Sequence, residues 1–154
     1  MLRGKARRTA RATSTDVPML LLQSLFLVVA RIPGTSIVRL KRLPHRTTEP
    51  DEIRRMMQQV VDVLDSVERA RHCLLMDMRD GPTYNPNPEF ERILGEYRPR
   101  IVAGFAKVAV LVKTSVGKLQ VTRMAREHEQ DIRVFDDETE ALAFLTGRPS
   151  RAEE

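Results

Sequence analysis

Residues 106–145, AKVAVLVKTSVGKLQVTRMAREHEQDIRVFDDETEALAFL, constrain the fold more than any other part of the chain, because they spell strand, turn, helix, strand, helix in order. The nearly continuous apolar run 107–112 is the pattern of a strand covered on both faces. Thr114 and Ser115 then open a polar helix. Residues 131–135 return as a second strand, and Asp136 and Asp137 open a last helix. Strands alternating with helices need crossover connections and hence a largely parallel sheet.

The preceding half supplies the rest of an α/β domain. Residues 25–32 and 37–43 read as two strands joined by the turn Pro33-Gly34-Thr35-Ser36, an antiparallel hairpin. Val38 and Leu40 alternate with Arg39 and Lys41, leaving one face of the second strand wet. Ile53, Met56, Met57, Val60, Val61, Leu64 and Val67 recur at helical spacing. Thr48 is the expected N-cap of that helix, with Pro50 in its first turn and Asp51 completing a capping box. The run CLLMDM (residues 73–78) follows as a buried strand.

After the loop 79–86, Asn87 caps a helix opened by Pro88, whose apolar stripe is Phe90, Ile93, Leu94 and Tyr97. Arg98-Pro99 should kink or end it. In the last helix Ala141, Leu142 and Leu145 face inward and Gly147 is the natural stop. Leu20–Leu22 find no obvious place in this scheme. The expectation is one domain over residues 18–147, between a disordered basic tail (1–17) and a frayed end (148–154). Its sheet is mixed and mostly parallel, of about five strands, with about four helices packed on it.

Charge and composition narrow the function classes. The net charge is +5, but residues 1–16 hold Arg3, Lys5, Arg7, Arg8 and Arg11 against Asp16 alone, so the body is nearly neutral. A basic tail of this kind suits weak, salt-sensitive contact with polyanions or a membrane surface. With 5% aromatic residues and no Trp, the body offers few stacking platforms, and specific nucleic-acid binding is not expected. Residues 19–30 following the basic start loosely match a signal peptide, but Gln23 and Ser24 interrupt the apolar run, and a strand is the preferred reading. The single cysteine, Cys73, forms no bridge within the chain and suits a reducing, cytoplasmic setting.

Candidate sites gather where strands end. The loop after residue 78 offers Asp77, Arg79, Asp80, Thr83 and Tyr84, at the carboxyl end of a strand where open α/β sheets place ligands. The simpler reading is that Asp77 and Asp80 tie down the turn. Lys113, Thr114, Ser115 and Lys118 superficially resemble a phosphate loop. Val112 occupies the place of its first glycine, however, and Leu119 that of its hydroxyl, so a nucleotide is not expected. An anion on the helix N-terminus is the weaker alternative to plain capping by Thr114. His45, His72 and His128 lie in three different elements without ligand spacing, and no metal or other cofactor is implied. The seven methionines read as core filling.

From residue 25 to 147 the chain resembles a small stand-alone domain of the SpoIIAA-like group, within the STAS (anti-sigma-factor antagonist) and CRAL-TRIO superfamily. The likeness is carried by Leu74-Leu75-Met76-Asp77, Pro88-Glu89-Phe90-Glu91, residues 107–112, Gly117-Lys118-Leu119-Gln120, and Val134-Phe135-Asp136-Asp137 with residues 141–145. The resemblance implies a non-enzymatic regulatory module working through a protein partner. In the antagonists a serine in an Asp-Ser-Ser-Gly-type loop is phosphorylated. That motif is absent here, and Thr83 is the only comparable phosphosite candidate. The CRAL-TRIO relatives enclose a lipid, so a carrier or sensor of a lipid-like or apolar ligand is the alternative. A two-fold homodimer closing through an apolar surface, with Leu20–Leu22 contributing, is expected from a small open sheet.

Overall fold

A computed structural model of the chain describes residues 19–47, 49–81, 87–114 and 132–147. Its centre is a six-stranded sheet in strictly consecutive order. The strands are β1 (Met19–Gln23), β2 (Leu27–Arg31), β3 (Ile37–Arg42), β4 (Cys73–Asp77), β5 (Val108–Leu111) and β6 (Ile132–Phe135). β1, β2 and β3 pair antiparallel, and β3 to β6 run parallel. The helices are α1 (Pro50–Asp65), α2 (Pro88–Val102) and α3 (Glu138–Thr146), with a short 3-10 turn at Arg69–Arg71.

Because β3, β4 and β5 are added in one direction, right-handed crossovers put α1 and α2 on the same face. That face holds the main core. Val29, Val38, Leu40, Leu74 and Val108 meet Met56, Val60 and Leu64 of α1 and Phe90, Ile93 and Tyr97 of α2. α3 crosses to the other face and covers Ile37, Leu75, Ala109 and Leu111 with Ala141 and Leu145. No helix among the described residues is long and apolar enough to cross a membrane.

Several expectations need correction. The sheet has six strands, not about five, because Leu20–Leu22 lie within β1. The register of β1 against β2 shifts between Leu20 and Leu22, so Leu22 lies opposite Val29 and packs on the main core with Leu21. The strand expected over residues 25–32 is thus split from β1 by a turn. The Ser24 hydroxyl makes that turn by accepting from the backbone N–H groups of Phe26 and Leu27 (3.1 and 3.3 Å).

At α1 the N-cap is Glu49, with no side-chain cap bond; the expected cap, Thr48, lies outside the described residues. The reciprocal arrangement is built instead by Thr47, whose Oγ1 accepts from Glu49 N–H (3.1 Å) and donates to Glu52 Oε2 (3.1 Å).

Pro99 does not end α2, which continues to Val102. The proline ring would collide with the carbonyl region of the residue four positions back. Here the burial of Ile101 and Val102 beyond the proline sustains the last turn. Arg69 Nη1 then donates to the carbonyls of Arg100, Ile101 and Ala103 (2.8, 3.1 and 2.6 Å), closing the helix end.

The other termini agree with the sequence. Asn87 Oδ1 accepts from Glu89 N–H (3.0 Å), Asp137 Oδ1 from Thr139 N–H (3.1 Å), and Gly147 takes the left-handed conformation (φ 76°). Three α-helices are described; the one expected from Thr114 and Ser115 falls in residues 115–131, outside them.

Candidate functional site

The sheet places two different arrangements at the carboxyl ends of β3 and β4, one on each face. The first is a charged cluster on the α3 side. Asp77 ends β4 and is 1% exposed, the sole buried charged residue among those described. A buried carboxylate must be paired and hydrogen-bonded. Arg79 satisfies it with a two-pronged fork, Nε to Oδ1 and Nη2 to Oδ2 (both 2.9 Å), and its backbone N–H adds a third bond to Oδ1 (3.2 Å). Arg39 donates to Oδ2 from β3. Glu138, in the first turn of α3, accepts from Arg39 (3.0 Å) and Arg79 (2.8 Å), so two cations are shared by two carboxylates. Lys41 lies 3.6 Å from Asp80 beside it.

Burial pushes the Asp77 carboxyl up, but the hydrogen bonds from Arg79 and Arg39 outweigh it and hold it at about 2. The bond to Asp77 raises Arg79 in turn. Proton transfer near neutrality needs a group that titrates there. The Asp77 carboxyl, held at about 2, does not. The cluster is a clamp. It fixes the start of the loop after β4 and the first turn of α3 against the sheet.

The second arrangement is a cavity of about 750 Å³ on the main-core face, roofed by α1 and α2. Its floor is Leu27, Leu40, Met76 and Met78. Ile53, Met56 and Met57 wall it from α1, and Phe90, Leu94 and Ile101 from α2. Asn87, Pro88 and Gly81 close the end beside the loop, and Arg42, Arg46, Arg92 and Arg98 with Glu91 form a polar rim. A space of this size lies in the range of small-molecule sites, about 300–1,000 Å³.

Gly81 helps shape the rim. A β-carbon there would lie 2.6 Å from Cγ of Arg42, so the glycine lets the arginine stem pass against the loop.

Of the residues singled out in the sequence, Asp77 and Arg79 are paired with each other, and Asp80 lies 3.6 Å from Lys41. Lys113 and Thr114 are exposed just beyond β5, at the same edge of the sheet. Thr83, Tyr84, Ser115 and Lys118 lie outside the described residues. Cys73 is half-buried, its thiol 3.6 Å from the Leu145 carbonyl. Among the described residues no group of His, Cys, Asp or Glu could hold a metal ion.

Sequence reasoning missed Arg39 as a partner of Asp77 and Glu138 as the second carboxylate shared by the two arginines, and it missed the cavity. The available signal for the first was a lone aspartate closing an apolar strand. For the second it was Met76 and Met78 flanking that aspartate, on the face that Met56 and Met57 oppose.

No family model matches the chain, and no curated protein matches it. Among solved structures, it is similar to an uncharacterised protein of the DUF3478 family with a SpoIIAA-like fold from Shewanella loihica PV-4. The superposition has a TM-score of 0.53 at 14% identity, covering 80% of this chain and 98% of that one. The consecutive sheet, its antiparallel start and the helices on both faces are those of a SpoIIAA-like fold.

Proposed function

We propose that this domain is a non-enzymatic binding module that holds a small apolar ligand between its sheet and the helices α1 and α2. The observation that carries this reading is the 750 Å³ cavity, with a floor and walls of Leu, Ile, Phe and Met. Four of the lining residues are methionines, whose unbranched, polarizable side chains adapt to ligands of varied shape. The carrier alternative thereby takes precedence over a purely protein-binding module, although a filled cavity could govern a partner contact.

The test uses the neutral, environment-sensitive dye Nile red. The wild-type chain is expected to bind it at one molecule per chain, with displacement by dodecanol. Leu94→Trp extends a large ring into the cavity from a half-buried position on α2, and is expected to abolish binding while the far-ultraviolet circular dichroism and melting cooperativity persist. A folded Leu94→Trp variant that binds the dye as tightly as wild type would refute the reading.

A second reading, protein contact through β1, rests on a separate observation. β1 is an edge strand, and Met19, Leu20 and Leu25 beside its turn are 58%, 54% and 68% exposed. Exposed apolar groups along an edge left unpaired among the described residues suit association with a second copy of the chain.

A further inference from the structure

The charges around the cavity are unequal in their partners. Arg98 is paired with Glu91 (2.7 Å) and Arg92 with Glu89 (2.8 Å), so the α2 side of the rim is internally neutralised. The β3 side is not. Arg42 directs Nη1 to the backbone carbonyls of Phe26, Leu43 and His45 (2.7, 3.2 and 3.5 Å) and stacks on the Phe26 ring, without a carboxylate. Arg46, exposed on the same wall, makes no ion pair among the described residues. Among the described residues, two guanidiniums therefore border the apolar chamber without a carboxylate partner.

Burial costs a charge unless something of opposite sign accompanies it. Arg42 is a half-buried cation whose ionisation burial disfavours. Gly81 lets its stem lie where it does, so the position is built into the loop. An anion at this mouth would meet a guanidinium held by backbone carbonyls and a second, exposed one on the same rim, donors that suit carboxylates and phosphates.

We infer that the ligand is a single-chain amphiphile with an anionic head, the head seated at Arg42 and Arg46 and the chain lying among Met56, Met57, Met76 and Met78. The inference rests on the carrier reading above and adds to it the sign and place of the head group. An alkyl chain needs a long, adaptable apolar lining, and a head group needs one polar end. The chamber provides both, and the charge left without a carboxylate among the described residues lies at the end of β3.

The experiment measures displacement of Nile red from the full chain by octanoate, decanoate and dodecanoate, against the alcohols of the same lengths. Each added methylene should tighten binding about fourfold in both series. At equal length the carboxylate should bind about tenfold more tightly than the alcohol, as for a hydrogen bond to a charged group. Added salt should weaken the carboxylates alone. Arg46→Gln, an exposed change that leaves the fold intact, should remove most of the carboxylate preference without altering the alcohols. Equal binding of the two series, or a preference unchanged in Arg46→Gln, would overturn the assignment of the head group while leaving the carrier reading in place. Failure of both series to displace the dye would remove the carrier reading itself.

Discussion

Replacing Asp77 by Asn removes the charge at the centre of the clamp while keeping the shape of the side chain. The cost follows from the structure in two ways. The carboxyl is held at about 2 against an ordinary value of 3.8, and at 1.36 kcal/mol per factor of ten this amounts to about 2 kcal/mol of stability near neutrality. Removing one partner of a fully buried ion pair typically costs about 3–5 kcal/mol. Here Arg39 and Arg79 are 26% and 35% exposed and retain Glu138, so water and the second carboxylate recover part of the loss. About 2 kcal/mol is therefore expected, or a fall in Tm of about 4–8 °C for a chain of this size.

The pH dependence fixes the mechanism. The folded-state value lies below the ordinary one, so the stabilisation is complete above about pH 4 and disappears as the pH falls through about 2. Urea unfolding of wild type and Asp77→Asn, followed by circular dichroism from neutral pH to about pH 2, should show a gap near 2 kcal/mol that closes across that acid window. A gap below about 0.5 kcal/mol at neutral pH, or one that persists unchanged at pH 2, would refute the account of Asp77 as an ion-paired anchor.

Gly95→Ala should stabilise the chain by about 0.5–1 kcal/mol, because a β-carbon there meets no atom within 4 Å and a mid-helix glycine carries an entropic cost. Denaturant midpoints will check it, and a destabilised variant would mean that Gly95 is needed to accommodate Pro99. If β1 mediates self-association, light scattering at micromolar concentration should detect a dimer that Leu20→Asp dissociates into a folded monomer.

The fold was legible in the sequence where local signals coincide with what the tertiary structure rewards. Asn87-Pro88, Asp137 and Gly147 mark helix ends by local chemistry, and the runs in β4 and β5 are apolar because both faces are covered. β1 was not legible because Ser24 interrupts its apolar run, and a turn made by one hydroxyl looks like a break in a longer strand. Pro99 misled for the opposite reason, since a local breaker was overruled by burial of Ile101 and Val102 beyond it. The site was less legible. Arg39 and Glu138 reach the same cluster across 99 positions of sequence, and nothing short of the strand register says so. A cavity is harder still. Met56, Met57, Met76 and Met78 carry the same pattern whether they fill a space or surround one.

The consecutive strand order bears on how the molecule comes into being. Every strand pairs with its nearest neighbours along the chain, so the sheet can grow by accretion as the polypeptide emerges, without waiting for a distant segment to insert. One step cannot be completed this way. Among the described residues it is α3 that covers Ile37, Leu75, Ala109 and Leu111, and without it Arg39 and Arg79 have one carboxylate between them instead of two. Glu138 acts as a latch that closes only when the last helix has been made. It ties β3, the first of the parallel strands, to a helix made only after β6, so that face of the sheet is finished late.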